Sequence, residues 1–227
     1  MDQHILEKWL KGWSLSRGLP LPVKYGSGFR VDVGWPQQKA RYVFPDFSHE
    51  ITDLANSIVE PWIFLKVCAS PEVFKSILPS HWVIQPPGFM MNCSRPMLSK
   101  KIDLANGYIL EVKEEMPVSI AKVLTNSGDI AAIGRLIFVD DFVIYDRIET
   151  NELHRRRGLA TIILKTLENI AISKGSTNGV LVATEAGKAL YETLGWTLSS
   201  LYTSVVIPQD QSPLQSPLLP GTSGHAR

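Results

Sequence analysis

Residues 118–150 contain three strand-like runs rich in apolar and β-branched side chains, Val118–Leu124, Ile130–Val139 and Phe142–Thr150, separated by Asn126-Ser127-Gly128 and by Asp140-Asp141. Breaks this short force successive runs to lie antiparallel, so the stretch reads as a three-stranded meander. The apolar period then changes. After a polar link, Asn151–Arg157, the residues Leu159, Ile162, Ile163, Leu167, Ile170 and Ala171 fall on one helical stripe, with Gly175 as its stop. A buried strand, Gly179–Ala183, a shorter helix from Glu185 to Leu194 closed by Gly195, and a last strand pair within Trp196–Ile207 complete the order β-β-β-α-β-α-β.

The first hundred residues are less regular. Ile5, Leu6, Trp9, Leu10 and Trp13 give one apolar helix face, which lacks a basic rim and is expected to pack on its own domain rather than on a membrane. A hairpin is expected from Phe29–Val33 and Ala40–Phe44, a helix from Ser48, a strand over Trp62–Val67 and a helix from Ser70-Pro71 to about Leu78. Pro86, Pro87, Gly88 and Pro96 argue for an irregular stretch between Pro79 and Ser99. Trp35, Trp82, Phe89 and Met90 line an acceptor wall or fill a core; the sequence leaves both open. A boundary near residue 104 divides an N-terminal lobe, 1–104, from a core, 105–207. Residues 208–227 are rich in Pro, Ser and Gly and are expected to form a disordered tail.

With 44% hydrophobic residues in 227, the chain has the material for a globular core. Its formal net charge of +1 supplies no overall field toward nucleic acid or an anionic membrane, so charge-based recognition has to be local. Cys68 and Cys93 lie in no CxxC pair and near no histidines at zinc spacing, so a metal site is not expected and a disulfide has no support. Asp2, Glu7, Lys8 and Lys11 interrupt any signal-peptide core, and no segment is apolar over a membrane-spanning length; a cytoplasmic protein is expected.

The chemistry concentrates at Arg155-Arg156-Arg157-Gly158-Leu159-Ala160, between a strand and the long helix. A helix start offers amides without intrahelical partners and the positive end of the dipole, which suits a pyrophosphate. Gly158 lets backbone approach such a ligand. The string resembles the (Q/R)xxGx(G/A) motif of the Gcn5-related N-acetyltransferases (GNAT), and Ala189–Trp196, ALYETLGW, resembles that family's second motif. The resemblance spans about residues 105–207. It implies an α/β (α+β) GNAT fold: a central mixed, mostly antiparallel sheet flanked by helices, here with an additional N-terminal lobe.

The resemblance also implies roles. Arg155, Gly158 and Ala160 match the motif positions, and amides of Arg156, Arg157, Gly158, Leu159, Ala160 and Thr161 would hold the pyrophosphate of acetyl-CoA. Backbone of Ile148, Glu149 and Thr150 would pair with the pantetheine arm. Tyr191 would protonate the leaving thiolate, a task its neutral phenol suits; packing beside Leu190 and Leu194 is the alternative. Thr184 and Gly187 stand where many relatives have asparagine and alanine. Asp146 and Glu149 are the nearest candidates for the general base, with a water chain as another route, and His154 reads as a surface or phosphate-side residue. The implied activity is acetyl transfer to a primary amine by direct attack in a ternary complex. A small-molecule acceptor is favoured over a protein amine, with no nucleic-acid or membrane partner and oligomeric state undetermined. A non-catalytic acyl-CoA sensor is the alternative.

Overall fold

The computed structural model describes residues 1–98 and 102–209; the greater part of the tail lies outside the described residues. The chain opens with α1 (Gln3–Leu15), whose first amides are capped by Asp2, with bonds of 2.7 Å from His4 N and 3.3 Å from Ile5 N. There follow β1 (Val23–Tyr25), β2 (Gly28–Trp35), β3 (Gln38–Phe44), α2 (His49–Ser57), β4 (Ile63–Val67), α3 (Glu72–Lys75), β5 (Val83–Ile84) and β6 (Gly88–Cys93). The second half contains β7 (Tyr108–Lys113), β8 (Val118–Thr125), β9 (Ile130–Val139), β10 (Phe142–Thr150), α4 (Leu159–Ser173), β11 (Asn178–Ala183), α5 (Glu185–Thr193) and β12 (Thr197–Val206).

The strands join one mixed sheet in the order β1-β2-β3-β4-β12-β6-β11-β10-β9-β8-β7, with β5 beside β12. Read from its centre, this order is nearly palindromic. β1-β2-β3-α2-β4-α3 repeats the succession β8-β9-β10-α4-β11-α5, and in both halves the strand after the longer helix runs parallel to the strand before it. The final strands are exchanged. β6, which follows the first half, pairs with β11, while β12 pairs with β4, and the two meet at the middle of the sheet.

Three expectations change here. The stretch Pro79–Ser99 is not wholly irregular, because β6 is a six-residue strand held by β11 and β12 on its two sides. Trp196–Ile207 contains one ten-residue strand with a register shift between Leu198 and Ser200, not a pair. The helix after Ser70 ends at Lys75, leaving Ile77 and Leu78 in turn bonds to Phe74.

Alternation places two cores on opposite faces of the second half. Toward α4 and α5 lie Ala132, Leu136, Val143, Tyr145, Leu181 and Met91; toward α1 lie Ile137, Ile144, Val180 and Met90. Leu6, Trp9, Leu10 and Trp13 of α1 are buried on that second face, so the amphipathic helix does pack on its own domain. Trp82, Phe89 and Met90 are core residues, whereas Trp35 is 37% exposed. Trp9 is 4% exposed and meets Tyr202 edge-on at 5.3 Å. Trp9→Ala is therefore expected to lose about 3–5 kcal/mol in urea unfolding; a loss below about 1 kcal/mol would show that α1 adds little to the fold. Among the described residues, no helix is long and apolar enough to cross a membrane.

Candidate functional site

β10 and β11 pair in parallel only from Phe142↔Asn178 to Ile144↔Val180, although β10 runs on to Thr150 and β11 to Ala183. Past Ile144 the strands part. The β10 backbone from Tyr145 to Thr150 thereby keeps its β9 partner on one side and, among the described residues, has no strand on the other. A bulge between Asp146 and Glu149, with Arg147 at φ 50°, sharpens the bend. Gly134 of β9 makes it feasible: a Cβ there would come within 2.5 Å of Ile163 and 2.7 Å of Ile148. The Ile148 side chain is thus tucked toward α4, and Ile148 has only backbone to offer the opening. Thr150 presents a buried hydroxyl with no hydrogen-bond partner.

The opening leads to the start of α4. Gly158, at φ 75°, is the residue before the helix, and no side chain caps the first turn. Arg156 is also left-handed, at φ 63°. Left-handed residues on either side of Arg157, directly before a helix start, are the kind of backbone found in anion-binding turns. Leu159 and Thr161 are buried, so only their backbone could face a ligand, and Ala160 is partly buried. The three arginines are exposed. Arg155 pairs with Glu152 at 3.1 Å, and Arg157 donates to the Tyr108 hydroxyl at 2.8 Å, itself 2.8 Å from His154 Nδ1. His154 is therefore a link between β7 and the loop.

The reason for glycine at 158 differs from the sequence expectation. A Cβ on Gly158 would point at Ile102, 2.9 Å from its Cγ2, rather than into open space. The left-handed turn and the packing of Ile102 require the glycine, and ligand approach follows from the turn.

Tyr191 lies on α5, 7% exposed, with its ring 5.9 Å from that of Trp196. Burial, and then the charge of Asp146, push its phenol well above the ordinary tyrosine range, so it stays protonated at neutral pH. Gly187 leaves room for the ring: a Cβ there would stand 3.1 Å from Tyr191 Cε2. Thr184 caps α5, accepting from Gly187 N at 3.2 Å. The two carboxylate candidates separate. Asp146 is engaged by Arg17 and by the Ser16 hydroxyl, whereas Glu149 is exposed and makes no ion pair among the described residues.

A profile of the acetyltransferase (GNAT) family matches residues 91–196, which contain the parted strands, the arginine-glycine loop and Tyr191. These residues form a GNAT-family domain. The whole chain is also similar in fold to a GCN5-related N-acetyltransferase from Kribbella flavida, with 13% identity, a TM-score of 0.60, and 92% of this chain and 96% of that one covered. A GNAT-family protein from Novosphingobium aromaticivorans gives 15% identity and a TM-score of 0.55 over 90% of this chain and 97% of its own. One from Sphaerobacter thermophilus gives 10% and 0.56 over 81% and 78%. No curated protein sequence matches the chain.

The GNAT family uses acetyl-CoA, and the residues present suit it: uncapped amides and basic side chains for phosphates, a free strand edge for an amide-bearing arm, and the unpartnered Thr150 hydroxyl. The equivalent helix start in the first half does not suit it. Residues 45–48 before α2 contain no glycine, and Glu50 in the first turn already accepts from Ser27 N at 2.9 Å and Ser27 Oγ at 2.6 Å. Of these two helix starts, the one before α4 has the uncapped, glycine-led turn suited to an anion. Among the described residues no His, Cys, Asp or Glu cluster is placed to hold a metal. Sequence reasoning did not single out Arg17, Arg41, Lys66 and Tyr202, which gather on the α1 side near Asp146; the available signal was a cation within each of two apolar strands, RYVF and IFLKV.

Proposed function

We propose that this chain is an acetyl-CoA-dependent N-acetyltransferase of the cytoplasm that acetylates the primary amine of a small molecule by direct attack in a ternary complex. The parting of β10 from β11 beside an uncapped helix start, with Tyr191 buried on the helix that follows β11, supports this reading most. Amides of Arg156 to Thr161 hold the pyrophosphate, with Arg155, Arg156 and Arg157 adding charge around it. The backbone of Ile148, Glu149 and Thr150 pairs with the pantetheine arm as an added strand. Acetyl-CoA, when bound, supplies an activated thioester and a thiol leaving group. Tyr191 donates its phenolic proton on the leaving-group side. Glu149, exposed and without an ion pair among the described residues, takes the amine proton directly or through water, while Asp146, tied to Arg17, keeps a positioning role.

The test is calorimetry with acetyl-CoA, then free-thiol release from the full chain over a panel of small amines and lysine peptides. Binding together with release by at least one small amine is expected. Binding without release anywhere on the panel would favour a non-catalytic acyl-CoA sensor. Release by peptides alone would move the acceptor to protein amines, and absence of binding would overturn the proposal.

A further inference from the structure

We propose that the acceptor carries a carboxylate, which is received by Arg41 and Lys66 on the α1 side of the sheet. This rests on the transferase reading above and narrows its acceptor to amines of the amino-acid type.

Arg41 of β3 stands opposite Val31 and Phe64, and Lys66 of β4 opposite Val43 and Ser204. Directly opposed residues share a face, so both cations point to the side covered by α1. They are 6% and 8% exposed. Burying a cation is strongly unfavourable without a charged or well-bonded partner. Lys66 Nζ donates to the Ser204 hydroxyl at 2.7 Å and lies 4.7 Å from the Phe64 ring centroid and 5.6 Å from that of Tyr202; burial, and then the charge of Arg41, hold its ammonium well below the ordinary lysine range. The Arg41 guanidinium lies 3.4 Å from the centroid of a Trp13 ring, and its Nε has no hydrogen-bond partner. Beside it, the Tyr202 hydroxyl, 5% exposed at the residue level, faces the Arg41 guanidinium, whose charge and hydrogen bonding oppose the rise that burial imposes on the phenol; its own proton has no acceptor among the described residues. Among the described residues neither Arg41 nor Lys66 reaches a carboxylate. The one carboxylate near Arg41, Asp146, is already held by Arg17, which also lies over Trp13 at 4.4 Å.

The position of this unmatched charge gives it a use. Asp146 sits where β10 leaves β11, and its charge acts on both Tyr191 and Arg41, so the cluster borders the parted strands from the α1 side. Burial brings the Arg41 guanidinium down to about 10, which leaves it charged at neutral pH. A carboxylate offers two oxygens in one plane, matched to the fork of the Arg41 guanidinium, whose Nε is unpartnered among the described residues; the Tyr202 hydroxyl and Lys66, whose charged form a neighbouring anion favours, are further donors. It would replace the Trp13 face as the partner of Arg41. An amine without an anionic group leaves those donors unpaired, so selection against it is built into the site.

Calorimetry on the full chain saturated with CoA tests this with product-like probes, N-acetylglycine, N-acetylalanine and N-acetylglutamate against their α-methyl amides. At least one acid is expected to bind about 10-fold or more tightly than its amide. Arg41→Met should erase that difference and leave CoA affinity near parental. If Arg41→Met does not fold by circular dichroism, Lys66→Met is expected to shrink the difference instead. Equal affinities of acids and amides, or binding of neither class, with CoA still bound would overturn the carboxylate site alone. Failure of CoA to bind would overturn the transferase reading and this inference with it.

Discussion

Tyr191→Phe is expected to fold and bind CoA as the parent does while its turnover falls about 100-fold, the usual contribution of a positioned general acid. The substitution removes one oxygen and keeps the ring that packs between Gly187 and Trp196, so stability should move little. The raised phenol favours this separation of effects. Burial keeps the proton on Tyr191 throughout the neutral range, and its loss cannot produce an alkaline fall in rate below about pH 10, the ordinary tyrosine value. Steady-state rates on an amine that releases thiol, compared with melting curves, decide between roles. Near-parental turnover in a folded Tyr191→Phe protein eliminates the acid role, whereas a large drop in melting temperature points to packing.

Gly158→Trp should abolish measurable acetyl-CoA binding, for a structural reason beyond side-chain bulk. At φ 75° an L-residue is strained, and its Cβ would press on Ile102 at 2.9 Å, so the turn before α4 has to change. Once it does, the amides after Arg156 no longer point the same way. Losing two charge-assisted amide bonds to a pyrophosphate costs about 3–6 kcal/mol, or roughly 100-fold or more in affinity. Calorimetry on a variant shown by circular dichroism to remain folded is the measurement. Parental affinity would place the pyrophosphate elsewhere. Gly158→Ala is the milder companion, with the same strain and Ile102 contact but no indole, and an intermediate loss is expected.

The sequence by itself determined the meander β8-β9-β10, the helices α4 and α5 and the strand β11 between them, but not β7. Three strand-like runs divided by short turns over Val118–Thr150, an apolar stripe of period 3.6 over Leu159–Ala171 and the Arg155–Ala160 string between them mark these elements by local propensity and patterning. Features set by long-range pairing were not legible. β6 is a strand because β11 and β12 offer backbone partners on both its edges, which overrides the proline-rich setting that suggests a loop. β12 is one long strand because its two ends serve different halves of the sheet. The reason for glycine at 158 is Ile102, whose approach no spacing rule predicts. The burial of Arg41 and Lys66 was not read from the sequence: Trp13, which covers Arg41, lies 28 residues earlier in the chain, and Ser204 lies 138 residues beyond Lys66. Tertiary structure alone decided these points, because burial and hydrogen-bond pairing depend on which segments meet across the sheet, and sequence period records only the face a residue shares with its neighbours.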